Sequence, residues 1–196
     1  MKKTLALIFA IIMIVTCFVS CGNNNSEDNG VLRIPQENLK GVEYGSFNKF
    51  KAIDLDGKTF DESIFKGKKL TMINIWATFC RPCIGEMPDL ELLNKEYADK
   101  DFQVIGIVCD VNYSGDGYDP SLYQSALDVV EMTGVTYTNL LPSKSLDKIK
   151  LSEVYTVPET IFVDEDGNIV GESYVGSRVY EGWKEVVDNI LKTMDK

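Results

Sequence analysis

The sequence contains no histidine. That absence removes imidazole as a general acid or base, as the activator of a serine or cysteine nucleophile, and as a ligand in mixed Cys/His zinc sites. Positive charge is also short: 20 basic residues face 30 acidic ones, for a formal net charge of −10. No basic patch stands out, so no nucleic-acid partner is expected, because phosphates would be repelled. No internal repeat is visible. The longest apolar run, Leu5 to Val19, has 15 residues, short for a bilayer span of about 20. Cysteines number five in 196 residues, and only Cys80, Cys83 and Cys109 lie beyond the N-terminal segment.

What the N-terminus does have is the pattern of an export signal. Met1-Lys2-Lys3 supplies a positive start and Leu5 to Val19 the apolar stretch. Phe18-Val19-Ser20-Cys21-Gly22 resembles a bacterial lipobox, in which the leader is cut before a cysteine whose sulfur and amine are then acylated. Phe18 stands where an aliphatic residue is usual, and Cys17, preceded by Thr16, fits less well as the cleavage point. Residues 1–20 are read as a lipoprotein-type signal peptide and Cys21 as the lipidation site. An uncleaved anchor and cleavage after Ser20 are the other readings; all three place the rest of the chain outside the cytoplasm. Removing the two lysines of residues 1–20 leaves 18 basic against 30 acidic residues, net −12. Residues 21–44 are read as the lipidated cysteine and a flexible tether, since Asn23–Gly30 (NNNSEDNG) is polar without apolar periodicity. Residues 45–196 have the texture of one globular domain.

Within that domain, strand-like runs on either side of Asp56-Gly57 predict a hairpin, and Asp61 to Gly67 a helical turn closed by glycine. Leu70–Trp76 and Phe102–Val108 are apolar enough to be buried strands. A helix starting at the cysteine pair carries Cys83, Met87, Leu90, Leu93 and Tyr97 at 3–4 spacing. Another starts at Asp119-Pro120-Ser121, with Leu122, Ala126, Val129 and Met132 on one side. Thr136–Leu141 is read as a strand, Leu146–Glu153 as a short helix, and Glu159–Asp164 with Asn168–Val175 as a hairpin around Asp166-Gly167. A last helix carries Trp183, Val187, Ile190 and Met194. Strands alternating with helices imply a parallel core, and the closing hairpin adds antiparallel strands. The expected fold class is α/β: a central mixed sheet, helices on both faces and an N-terminal β-hairpin extension.

The stretch Trp76 to Pro88, WATFCRPCIGEMP, carries the chemistry. Its cysteines fall where a buried strand gives way to a helix. Free N–H groups and the helix dipole there favour an anion at Cys80, and only a thiolate attacks a disulfide. Arg81 adds positive charge, and Pro82 suits a first helical turn. Cys83, one turn on and facing inward, is placed to resolve a mixed disulfide. A zinc site would need four ligands and a second cysteine pair. A purely structural disulfide is possible outside the cytoplasm, but so small a loop constrains little of the unfolded chain.

This stretch, taken with Val157-Pro158-Glu159-Thr160-Ile161-Phe162-Val163-Asp164, resembles the membrane-anchored thioredoxin-like proteins of the TlpA and ResA type. The resemblance covers about residues 45–196. It implies a thioredoxin-like fold and disulfide exchange with exported proteins. Val157-Pro158-Glu159-Thr160 is also similar to the cytochrome c maturation thioredoxins. The Arg81-Pro82 pair differs from the Gly-Pro of general thioredoxins. By resemblance Pro158 is cis and faces the cysteines, with the Val157 backbone free to pair with an extended substrate segment. Glu86, three residues after Cys83, matches an acid that these relatives often carry. Buried, it would exchange a proton with Cys83; otherwise it is a solvated surface residue. Pro88 is expected to kink the helix. Trp76 is expected beside the site, in contact with substrate, with a plain core role as the alternative.

The resemblance further implies a protein-disulfide reductase at the extracytoplasmic face of the bacterial membrane. Its partners would be exported protein disulfides, such as those of apocytochrome c or a methionine sulfoxide reductase, and a membrane thiol electron donor. It would need no dissociable cofactor or metal, and a monomer is expected. A disulfide-forming oxidant and a non-catalytic binding lipoprotein are the rival readings. A peroxidase is disfavoured, since Pro-x-x-x-Thr-x-x-Cys is missing before Cys80. Cys109 is read as a small hydrophobe in a strand, with a third redox thiol as the alternative. Asp110, Asn112, Ser114 and Asp116 have EF-hand-like spacing, but Ser121 stands at the twelfth position and a strand precedes the loop. A surface loop is expected rather than a calcium site.

Overall fold

A computed structural model describes residues 46–114 and 117–195, omitting the side chains of Tyr113 and Ser114. The signal peptide, Cys21 and the tether lie outside the described residues. The first elements are a hairpin of β1 (Lys51–Ile53) and β2 (Thr59–Asp61), joined through Gly57 at φ 79°. A 3₁₀ turn over Glu62–Phe65 follows, capped by the Asp61 carboxylate. Then come β3 (Leu70–Trp76), α1 (Arg81–Glu96), β4 (Phe102–Val108), and the small hairpin of β5 (Tyr113–Ser114) and β6 (Gly117–Tyr118). The order continues with α2 (Pro120–Thr133), β7 (Asn139–Leu140), α3 (Lys144–Ile149), β8 (Glu159–Val163), β9 (Tyr174–Val175) and α4 (Tyr180–Met194).

Five strands form one mixed sheet in the order β7-β4-β3-β8-β9. β3 lies at its centre, parallel to β4 and antiparallel to β8. Alternation along the strands builds two cores. Met72, Trp76, Val104, Val108 and Phe162 pack with α1, α2 and α4. Ile73, Ile75, Ile105, Ile107, Ile161 and Val163 face the other way, onto Phe47, Phe50, Phe65 and Leu146 of α3. All seven residues of β3 are buried, which explains its unbroken apolar reading.

Some expectations need correction. Thr136–Leu141 narrows to Asn139–Leu140, because the Thr136 N–H and hydroxyl both donate to the Glu91 carboxylate, at 2.9 and 2.6 Å. Asn168–Val175 bridges Val163 at Ile169 beside the Asp166-Gly167 turn, then turns at Gly171 (φ 79°) and pairs as a strand at Tyr174–Val175. Met132 is 69% exposed rather than on the packed side. The stripe runs Leu122, Ala126, Val129, and its next helical member is Thr133, not Met132. Pro88 does lie inside α1, where it is exposed.

One glycine is set by packing. A Cβ on Gly106 of β4 would lie 1.9 Å from Asn139 Oδ1 and 3.1 Å from Trp76 Nε1, the two atoms joined by a 2.9 Å hydrogen bond. Gly106→Ala should therefore destabilise the fold by about 3 kcal/mol, from overpacking and the loss of that buried bond. Urea melts of the two chains check this.

Candidate active site

Both cysteines are fixed by the exit from β3. After Trp76 the chain makes a tight loop, with the Cys80 N–H donating to Ala77 O at 3.0 Å. The Asp110 carboxylate clamps the loop by accepting the Thr78 N–H at 3.0 and 3.1 Å and the Thr78 hydroxyl at 2.6 Å. Cys80 is the N-cap of α1, with its Sγ 3.2 Å from the Cys83 N–H. That donor and the helix terminus favour a thiolate there once the disulfide is reduced. Cys80 and Cys83 are joined by an S–S bond of 2.00 Å. Cys80 retains 6% of its surface and Cys83 none, while Arg81 and Pro82 between them are exposed.

Glu86 lies one helical turn after Cys83 and is 3% exposed. Its Oε1 accepts from Asn74 Nδ2 at 3.0 Å. Its Oε2 accepts from the Arg178 N–H and from Trp183 Nε1, both at 3.0 Å. Burial pushes the carboxyl up to about 7, against the pull of these donors and of the Arg178 charge. In the unfolded chain it titrates near 4.5, so between these values the folded state binds the proton more tightly. This contribution to stability is complete below about 4.5 and is lost as the pH rises through about 7. The loss should amount to roughly 3 kcal/mol. Glu86→Gln should remove that slope from unfolding free energies measured by urea melts across the same range.

The register of β8 on β3 brings the second half of the site alongside. Glu159 pairs with Ile75, so the preceding Pro158 falls beside Trp76, where the cysteine loop departs. The Val157–Pro158 bond is cis. Pro158 is buried and Val157 partly exposed, and the Pro158 carbonyl accepts from the Gly176 N–H at 2.9 Å. Behind this bend lies a buried ion pair: Lys150 Nζ is 2.6 Å from Glu159 Oε1, with Lys150 4% and Glu159 6% exposed. The Ser173 hydroxyl donates to the same oxygen at 2.5 Å.

Trp76 is corrected as a substrate contact. It is fully buried and donates its indole N–H to Asn139, so it has no surface to offer. An exposed aromatic at the cysteine loop is Phe79, 76% exposed immediately before Cys80. Sequence reasoning passed over Phe79, though it stands within the quoted motif. It also passed over Asn74, the one amide in the apolar run LTMINIW. Asp110, Arg178 and Trp183 had no local signal for their roles. Cys109 falls just after β4 and is partly buried; burial, aided by the charge of Asp110, pushes its thiol up to about 11. Among the described residues no group of three or more Cys, Asp or Glu side chains is arranged to hold a metal ion, and the Asp110 carboxylate is engaged by Thr78.

The Redoxin family model matches residues 42–186 of this chain. A similar protein is the thioredoxin-like protein YneN of Bacillus subtilis, 30% identical over 139 residues, 71% of this chain and 75% of that one. The thiol-disulfide oxidoreductase ResA of Bacillus thuringiensis is 28% identical over 127 residues, 63% of this chain and 64% of its own length. The chain thus spans slightly less than two thirds of that relative. Among solved structures, a thiol:disulfide interchange protein of the thioredoxin family from Chlorobium tepidum superposes with a TM-score of 0.59 at 24% identity. That match covers 75% of this chain and 96% of the other, and it establishes a thioredoxin-like fold.

Proposed function

Because the chain belongs to the Redoxin family, we propose that it is a thiol-disulfide oxidoreductase that reduces disulfides in extracytoplasmic proteins through Cys80 and Cys83. The observation that carries this reading is the unequal burial of two bonded sulfurs at a helix N-terminus: 6% exposure for Cys80 and none for Cys83. A partner sulfur can approach Cys80, and only an internal group can reach Cys83.

The reduced protein starts the cycle. The Cys80 thiolate attacks one sulfur of the partner disulfide, and the other sulfur leaves as a thiolate that takes a proton from solvent. The Cys83 thiol passes its proton to the Glu86 carboxylate and attacks Cys80 Sγ. This releases the second partner sulfur and closes the Cys80–Cys83 bond. Two electrons have moved from protein to partner. A membrane thiol donor reverses the change on this chain, and no dissociable cofactor takes part. The partner segment lies along the backbone of Val157 and Pro158, with Phe79 as the apolar contact beside the attacked sulfur. Acylated Cys21 holds the domain at the extracytoplasmic face of the membrane.

The direction of exchange is set by the potential of the pair. Equilibration of the full chain in detergent against thiol buffers, read by alkylation of Cys80 and Cys83, measures it. A midpoint near about −270 mV is expected for a reductant. A midpoint near about −120 mV would make the protein a disulfide-forming oxidant and overturn the reductase reading.

A further inference from the structure

A buried atom on the amide that touches Glu86 has no partner among the described residues: Oδ1 of Asn74, on a side chain that is 0% exposed. Its sister atom Nδ2 donates twice, to Glu86 Oε1 at 3.0 Å and to Thr160 Oγ1 at 3.1 Å. A buried acceptor left unpaired costs about 1–3 kcal/mol, so its persistence calls for a reason.

Glu86 supplies it. Oε2 already accepts two hydrogens, from a main-chain N–H and an indole N–H. Neither group can turn into an acceptor. A proton arriving on Glu86 therefore lodges on Oε1, directly opposite Asn74. The ionised carboxylate needs a donor there, and Nδ2 provides one. The neutral acid needs an acceptor, and half a turn of the amide brings Oδ1 into the same place. Thr160 can follow, because a hydroxyl both accepts and donates.

We propose that the Asn74 amide is a positioning residue that turns over with the proton of Glu86, donating to the carboxylate and accepting from the acid, and so passes the state of the thiols to Thr160 on the cis-proline strand. The inference rests on the reading of Glu86 as the proton carrier for Cys83. The proton involved is the one that leaves Cys83–SH as the Cys83–Cys80 bond forms; it returns when the bond is reduced. Few other ionisable groups face Glu86. Cys83 lies one turn back on α1, and Arg178 approaches from the segment before α4. Tyr137 lies ahead of β7, its phenol held neutral by burial and by the charges of Glu86 and Glu91. Glu159 and its partner Lys150 belong to the opposite face of the sheet, because β8 alternates and Thr160 shares the face of Phe162.

The test is a nuclear magnetic resonance titration of the full chain in detergent micelles, with nitrogen-labelled Asn and carboxyl-labelled Glu. Asn74→Ser and Glu86→Gln assign the two signals. The expected result is that the Asn74 NH₂ resonances shift with the midpoint of the Glu86 carboxyl carbon. Their through-space contact to the Thr160 methyl should also weaken on the acid side. In Glu86→Gln the Asn74 signals should stay flat with pH. An Asn74 amide whose contacts are fixed while Glu86 titrates overturns the inference alone. A Glu86 carbon with no transition overturns the proton-carrier reading, and the inference with it.

Discussion

A chain carrying Cys83→Ala should accumulate as covalent adducts of its partners, whereas one carrying Cys80→Ala should form none and lose exchange activity to background. The asymmetry follows from burial. Cys83 has no exposed surface, so with Cys80 gone no partner sulfur has a nucleophile to meet. With Cys83 gone, Cys80 still attacks, but the mixed disulfide has no internal thiol to resolve it. Cys109 is a poor substitute: with its thiol pushed up to about 11, roughly one molecule in ten thousand carries the thiolate at neutral pH. Non-reducing gels of membranes from cells expressing each variant read the outcome. If the two variants trap adducts equally, or neither does, the division of roles between the sulfurs is wrong.

The second large effect lies behind the cis-proline bend. Lys150→Met should destabilise the fold by about 3–5 kcal/mol, because it leaves the Glu159 carboxylate buried without its cation. For a chain of this size that corresponds to a loss of roughly 10 °C or more in Tm. The pair adds little net stability over an apolar pair of the same shape, so the double variant Lys150→Met, Glu159→Leu should recover most of the loss. Thermal melts of the single and double variants check this. A single variant that melts with the parent chain would show that the Glu159 carboxylate is relieved by another route. The consequence for the site is local: Glu159 follows Pro158 directly, so an unpaired charge there loosens the backbone that a partner segment would lie along.

How much of this was legible beforehand depended on the range of the interaction. β3 and β4 were readable to the residue, since a strand buried on both faces needs a continuous apolar run. The start of α1 was readable because the cysteines, Pro82 and the inward face of Cys83 agree on it. The edge elements were not: β7 is shortened by Glu91, a residue 45 positions earlier than Thr136, and no local pattern announces such a partner. The same holds for Glu86. Its spacing from Cys83 suggested an inward position, but its three donors come from β3, from the segment before α4 and from α4 itself. Met132 and Trp76 failed for opposite reasons. One was assigned to a packed stripe that geometry carries past it, the other to a contact surface that its own size and a hydrogen bond to Asn139 remove.

The two residues enclosed by the cysteines take no part in any of this scaffolding. Arg81 and Pro82 are exposed. The props of the site are Asp110 beneath the loop, Asn74, Arg178 and Trp183 around Glu86, and Lys150 with Ser173 behind Glu159, all on other segments. Driving force and scaffold are therefore separable in this protein. Exchanging the enclosed dipeptide would retune how strongly the pair holds its electrons while leaving these props in place. Lineages, or engineers, have a dial here that turns without disturbing the frame behind it.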